Sequence, residues 1–256
     1  MNRKSILDRR SFLTRASAIG GALYLGGCDK LSQSPSFRDL LDQAEDVTMT
    51  VQRLVLTSRS LAREFPEKAI SSTFKANGST GVDDPAYQKN ASENFANWKL
   101  VVDGLVERPA TLSLDDLRSL PSRTQITRHD CVEGWSAIGK WKGAQFSALL
   151  QKVGLKPNAR YLMFHCADML EPGSPYYESI DLIDAFHPQT ILAYDMNDAP
   201  LSVPHGAPVR LRVERQLGYK HAKYVMRIEA VSSFAFVAGG NGGFWEDRGY
   251  EWYAGI

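Results

Sequence analysis

Apolar residues recur at helical spacing near the start of the chain, at Leu40, Leu41, Ala44, Val47 and Val51. That period, inside an otherwise polar stretch from about 29 to 70, predicts a helical arm. "ANGSTGVDDPAYQKN" (76–90) follows, and its Gly, Asp, Asn and Pro content predicts a loop. The pattern then changes. Residues 98–106 alternate β-branched or apolar positions with polar ones, and Pro109 closes that strand. "LSLDDLRSLP" predicts a short helix: Ser113 can cap it, Asp116 can answer the cap, and Pro121 lies beyond its end. In "GAQFSALLQKVG", Phe146, Leu149, Leu150 and Val153 share one helical face and Gly154 is a C-terminal stop. "ARYLMFHCA", "TILAYDMN", "AKYVMRIEAV" and "SFAFVAG" read as strands, with a turn at Asn197–Asp198. "PVRLRVERQ" sets Val209, Leu211 and Val213 inward against Arg210, Arg212 and Glu214. Many short strands with a few interspersed helices predict an α+β fold.

Composition narrows this picture. The chain has 256 residues, 43% hydrophobic and 23% charged, enough for a sizeable core without metal or disulfide staples. A net charge of +1 gives no electrostatic case for a nucleic-acid partner. No apolar run of about 18 residues predicts a membrane span. The first residues have another character. "MNRKSILDRR" is basic and "SFLTRASAIGGALYLGG" is mildly apolar, the layout of an export signal. Arg9–Arg10 with Ser11, Phe12 and Leu13 reads as a twin-arginine signal, a route for folded cargo. Leu25 to Cys28 reads as a lipobox, with Cys28 carrying a lipid anchor; cleavage nearby is the alternative. The expected organisation is an export signal over 1–28, a helical arm or linker over 29–73 and a compact domain over 74–256. The expected location is the periplasm or the outer face of the cytoplasmic membrane.

Several chemistries lack their motifs. Neither G-x-G-x-x-G nor G-x-x-x-x-G-K-[ST] occurs, nor G-x-S-x-G, H-E-x-x-H or C-x-x-C. Two clusters are left. In "RHDCVEGW" (128–135), the residues alone leave Cys131 open as a small buried hydrophobe, half of a disulfide, a nucleophile or a metal ligand. In "HGAPVRLRVERQLGYKHAKYV" (205–225), His205, Arg210, Arg212, Arg215, Lys220, His221 and Lys223 accompany Gly206 and Gly218. Such a set can hold a phosphate through charge and backbone N–H groups, or it can be a solvated strand face.

The two clusters together resemble the sulfite oxidase family of molybdopterin-dependent oxidoreductases, especially its small exported bacterial members. The resemblance runs from "FKANG" (74–78) to the C-terminus, through "WKLVVDGLVERPATLSLDDL", "RHDCVEGWSAIGKWKG" and "HGAPVRLRVERQLGYKHAK". It implies a molybdopterin-binding fold of mixed β-sheets with interspersed helices. It implies a mononuclear molybdenum–molybdopterin cofactor with Cys131 as the protein's thiolate ligand. Arg128, and His129 when protonated, would favour that thiolate, and Arg128 and Tyr176 are the candidates for contact with substrate. His205, Arg210 and the turn Lys220–His221–Ala222–Lys223 match positions that bind the pterin phosphate. Asn77 matches an early loop contact, and Cys166 stands where a related branch has a pterin-contacting threonine.

The implied chemistry is two-electron oxo transfer. "CVEGW" is similar to the exported methionine sulfoxide reductase-like branch, which points to sulfoxide reduction. His205 in "HGAPVR" follows the sulfite oxidase-like pattern, which keeps sulfite oxidation as the second reading. A non-catalytic lipoprotein that keeps the fold is the third. The chain stops after "GGNGGFWEDRGYEWYAGI", so the expectation is a monomer without the family's C-terminal dimerisation domain. That aromatic tail reads either as a flap closing near the cofactor or as plain core packing. Without a C-x-x-C-H haem motif, electrons are expected to pass to or from a separate haem- or quinone-linked protein.

Overall fold

A computed structural model describes residues 34–57 and 59–256 of the chain. The expected export signal, Cys28 and the start of the arm lie outside the described residues. The chain divides into two units, Met1–Gln52 and Arg53–Ile256. In the first unit the described residues from Pro35 onward are helical, part of helix α1 (Pro35–Val55). Val47 and Val51 of its predicted stripe are exposed. Among the described residues no helix is long and apolar enough to cross a membrane.

The second unit holds two sheets and one shared core. The first sheet runs in the order β2 (Ala110–Leu112), β1 (Leu100–Gly104), β10 (Val225–Val231), β5 (Tyr161–Glu171), β6 (Ser174–Asp181). Its β1–β10 pair is parallel and its other pairs are antiparallel. The second sheet runs β3 (Ser122–Cys131), β4 (Trp135–Gln145), β7 (Ile191–Met196), β8 (Ala199–Pro200), with β9 (Arg210–Arg212) also on β7. Helix α4 (Phe146–Val153) continues directly from β4 and buries the four residues predicted for its face. They join Leu100, Val102, Leu162, Phe164, Ile228 and Leu211 in a core fed by both sheets. Gly154 ends the helix at φ +69°, a conformation that costs a side-chain-bearing residue more. Helix α3 (Leu114–Arg118) starts with the predicted reciprocal cap between Ser113 and Asp116.

Three stretches differ from the sequence reading. The loop predicted over 76–90 contains a helix, α2 (Pro85–Ser92). Asp84 accepts a bond from the Tyr87 amide and Pro85 sits in the first turn, so residues that signal a turn here start a helix. "SFAFVAG" is irregular rather than a strand, and Phe236 at its centre is 95% exposed. The third difference bears on function. "PVRLRVERQ" forms only a three-residue strand, and Arg210, Arg212 and Glu214 are buried along with Val209, Leu211 and Val213. The basic cluster is therefore not a solvated strand face.

Candidate active site

Cys131 is carried at the tip of a long hairpin. β3 and β4 pair in unbroken register from Ser122↔Ala144 to Cys131↔Trp135. Val132, Glu133 and Gly134 close the turn, where the Gly134 amide donates to the Cys131 carbonyl at 3.1 Å and Gly134 takes φ +83°. A three-residue hairpin loop ending in a left-handed glycine suits the twist of the two strands. Gln125, Thr127 and His129 face inward along β3, and Cys131 continues that alternation. The thiol is half-buried and free, as is the buried Cys166, so no disulfide joins them. Burial and the nearby Glu133 push the Cys131 thiol up, and backbone N–H groups of Glu133 and Val132 oppose this.

Behind the hairpin lies a buried cationic layer. Arg210 and Arg212 both pack on the ring of Trp141, at 5.1 and 4.4 Å. Arg212 is neutralised by Glu214, with contacts of 2.8 and 2.5 Å, and donates to His129 Nδ1 at 2.9 Å. His129 is thus held as an acceptor, and burial beside Arg212 keeps its pKa well below the usual range. It therefore brings no positive charge to Cys131, and the condition attached to its expected role is not met. Arg210 has no carboxylate partner among the described residues. It donates to the backbone carbonyls of His205 (3.2 Å) and His221 (3.4 Å), and its Nε has no partner. Burial and Arg212 bring its pKa down to about 9. Lys223 donates to the carbonyls of Ser79 and Pro204, and burial beside Arg210 brings it to about 7. His205 Nδ1 and His221 Nδ1 are buried without partners.

A cavity of about 160 Å³ connects the two clusters. It is lined by Cys131 and Tyr176 together with Asn77, His221 and Lys223 of the expected cofactor set. His205 and Arg210 stand behind that lining, tied to it through the carbonyl bonds above. Ala222 is buried, and its carbonyl accepts from the Leu211 amide at 2.8 Å, fixing the turn to β9. Gly218 lines the cavity where no side chain fits: a Cβ there would lie 2.5 Å from His129 Nε2.

Three expected residues are placed elsewhere. Arg128 points to the outer face of β3, is exposed and pairs with Asp130 at 2.9 Å, because strand alternation turns it away from its neighbours His129 and Thr127. Lys220 is fully buried with its ammonium held by Glu178 (2.5 Å) and Glu246 (2.6 Å), so its charge is already satisfied. Cys166 lies in the core of the first sheet and does not line the cavity. Tyr176 does line it, but its hydroxyl proton is committed to the Tyr219 carbonyl at 2.5 Å. The sequence reading missed Ser79 and Asp168, which bond each other across the cavity lining, and Asp168 Oδ1 is buried without a partner. No local pattern marks either one, since the chain between them is long. It also missed that Phe74 gathers His129, Trp135, Trp141 and His205 around one ring, at 5.4 to 6.2 Å.

Residues 87–235 match the family described as the oxidoreductase molybdopterin binding domain. YedZ1 of Azospira oryzae, a provisionally named protein-methionine-sulfoxide reductase subunit, is 38% identical over 96% of this chain and 87% of that protein. The chain belongs to the molybdopterin-binding oxidoreductase family. Other relatives share less. The protein-methionine-sulfoxide reductase catalytic subunit of Campylobacter jejuni is 33% identical over 53% of this chain, which spans about half (50%) of that relative's length. The sulfane dehydrogenase SoxCD of Paracoccus pantotrophus superposes with a TM-score of 0.50 at 24% identity, over 54% of this chain and 39% of that one, a likeness of fold.

The site fits the cofactor such a domain carries. Two buried cations, Arg210 and Lys223, form no salt bridge among the described residues, with only the Asp168 carboxylate acting on Lys223 at longer range, and unpaired nitrogens of His205, His221 and Arg210 lie beside them. A buried charge without a partner is costly, so this set is complementary to a bound anion such as a phosphate. Among the described residues no three His, Cys, Asp or Glu side chains converge to cage a metal. One thiol beside an anion site suits a soft metal that arrives on a phosphorylated, sulfur-bearing ligand. Asn77 Oδ1 and Asp168 Oδ1 add unpaired acceptors for N–H groups. The protein is a molybdenum cofactor-dependent oxidoreductase.

Proposed function

We propose that this oxidoreductase reduces organic sulfoxides in an exported, twin-arginine-translocated form, taking electrons one at a time from a separate redox protein. When bound, the molybdenum cofactor supplies two-electron oxo transfer. Cys131 would bind the metal; Arg210, Lys223, His205 and His221 would hold the phosphate; Asn77 and Asp168 would accept from the heterocycle. In the overall balance, one sulfoxide takes up two electrons and two protons and yields one sulfide and one water.

The observation that carries the choice of substrate is the charge around the cavity. Its basic lining residues, His221 and Lys223, are buried, whereas its exposed ones are Gly78, Val132, Glu133 and Tyr250. Glu133 holds a carboxylate there, tied to Lys75 (2.8 Å) and Trp135 (2.9 Å). A sulfite anion would find no unpaired cation among the exposed lining residues, because the Lys75 ammonium beside them is already taken up by Glu133. A neutral sulfoxide carries no such penalty. The names of the Azospira and Campylobacter relatives support the same choice.

The test is to express the full chain in a molybdate-fed host that makes the cofactor, measure molybdenum by mass spectrometry, and assay sulfoxide-dependent oxidation of a reduced dye beside sulfite-dependent reduction of an oxidised one. Molybdenum near one per chain and turnover of sulfoxide alone are expected. Turnover of sulfite alone would refute the sulfoxide reading. The Cys131→Ala variant should lose turnover while keeping its fold.

A further inference from the structure

One wall of the cavity has no part in holding an anion. It is built from Tyr219, Trp245 and Tyr250, which touch one another, and the uncharged Val132 and Leu170 also line the cavity. Trp245 and Tyr250 stack at 5.3 Å with 27° between their planes, and Tyr219 meets Tyr250 edge-on at 5.3 Å. The tail that carries them is pinned on several sides. Glu246 binds Lys220 at 2.6 Å. Arg248 covers Phe244 at 3.6 Å and binds Glu171 at 2.5 Å. The Tyr250 amide donates to the Trp245 carbonyl at 3.1 Å, and Tyr219 Oη donates to the Glu251 carbonyl at 2.6 Å. Val132, next to Cys131, is 45% exposed and Tyr250 is 40% exposed, so the cavity that both line opens to solvent at the thiol-bearing turn and at the aromatic wall.

We propose that Trp245 and Tyr250 are specificity-determining residues that seat the apolar arm of an organic sulfoxide beside Cys131. The inference rests on the sulfoxide reading above and adds which substituents on sulfur are preferred. A sulfoxide has one polar S–O bond and two apolar arms. The bond that breaks is S–O, with two electrons from the redox partner and two protons leaving with the oxygen as water. The arms contribute only by burial and by contact with rings, and sulfur itself packs well against aromatic edges. A stacked, pinned aromatic pair loses little freedom when a ligand arrives, so most of that contact energy remains as affinity. Each methylene-sized increment buried against such a wall changes specificity by roughly tenfold or more.

The experiment uses the molybdenum-loaded full chain and compares kcat/KM for methyl phenyl sulfoxide and dimethyl sulfoxide. The wild type should favour the phenyl compound by at least about tenfold. Trp245→Ala and Tyr250→Ala should erase most of that ratio, chiefly through KM, and Trp245→Phe should keep it. A second readout needs no turnover: saturation-transfer NMR with the unreduced analogue methyl phenyl sulfone should give phenyl signals in the wild type and lose them in Trp245→Ala. An unchanged ratio and sulfone signal in the alanine variants overturn the wall while leaving the sulfoxide reading intact. Variants that lose molybdenum, with the ratio intact in the loaded remainder, assign the wall to the cofactor and also overturn it. A loaded wild type that reduces no sulfoxide removes the functional reading, and the wall with it.

Discussion

Arg210 and Arg212 share one strand and one aromatic platform, yet only Arg212 has a carboxylate. Both guanidinium groups lie over Trp141, at 5.1 and 4.4 Å, and both are fully buried. Glu214 neutralises Arg212, whereas Arg210 is braced only by the carbonyls of His205 and His221. One arginine is neutralised within the protein, and the other keeps a buried charge that meets only carbonyl groups.

That difference predicts opposite outcomes for the same substitution. In cofactor-free protein, Arg210→Met removes an unpaired buried charge and should raise stability by about 1–3 kcal/mol. Arg212→Met strands Glu214 and should lower it by about 3–5 kcal/mol. In a cofactor-competent host, Arg210→Met should reduce molybdenum content. Urea denaturation and metal analysis check both; equal destabilisation of the cofactor-free forms would refute the asymmetry.

Lys223 should give the cofactor-free protein a particular pH dependence. Its pKa is about 7 when folded, from burial and Arg210 with partial opposition by Asp168 and Cys166, against 10.5 unfolded. Between those values the unfolded chain holds a proton that the folded chain has released. Stability therefore rises with pH above 7, with a slope approaching about 1.4 kcal/mol per pH unit. Below 7 both states are protonated and this slope vanishes. The window from 7 to 8 lies below the titration of Arg210, which is centred at about 9. Lys223→Met should flatten the slope there in urea denaturation series. Because a bound anion favours the charged lysine, sulfate, whose own charge does not change near pH 7, should bind more weakly as pH rises through 7, measurable by calorimetry.

Lys220 should behave as a structural ion, not as a phosphate ligand. Glu178 and Glu246 both meet its ammonium with no exposure, and burial together with Glu246 pushes the Glu178 carboxyl well up. Lys220→Met leaves two buried acids without their cation and should cost about 3–5 kcal/mol. Adding Glu178→Gln and Glu246→Gln should recover much of that loss, because the uncompensated charges are gone. Thermal unfolding of the single and triple variants checks this; a triple variant no more stable than the single one would count against it.

The reach of the sequence differs from element to element, for physical reasons. The cap at Ser113 and Asp116, the apolar face of α4 and its stop at Gly154 are local, so neighbouring residues encode them. Residue type and order single out Cys131, His221 and Lys223, and the structure brings these three to one cavity. Burial is not marked in this way. Alternation along "PVRLRVERQ" says which residues share a face, but whether the second face meets water depends on Trp141, which lies far away in the chain. The partners of Lys220 are hidden for the same reason, since a lysine beside a phosphate turn looks identical until Glu178 and Glu246 are placed. The Ser79–Asp168 contact joins distant segments and leaves no trace in either.

Arg128 supplies the sharpest separation between resemblance and geometry. Its neighbours in "RHDCVEGW" make it a candidate for stabilising the Cys131 thiolate and for meeting substrate. On β3 the side chains alternate, so Cys131, His129 and Thr127 share one parity and Arg128 has the other. Its side chain is 56% exposed and its charge is taken up by Asp130 at 2.9 Å, which in turn accepts from Ser136. An exposed pair of this kind contributes no more than about 1 kcal/mol. Arg128→Ala should therefore leave molybdenum content intact and change kcat/KM for a sulfoxide by less than about twofold, which is under about 0.5 kcal/mol of barrier. A loss of tenfold or more, with metal content unchanged, would return Arg128 to the catalytic set and require the hairpin tip to rearrange when the cofactor binds.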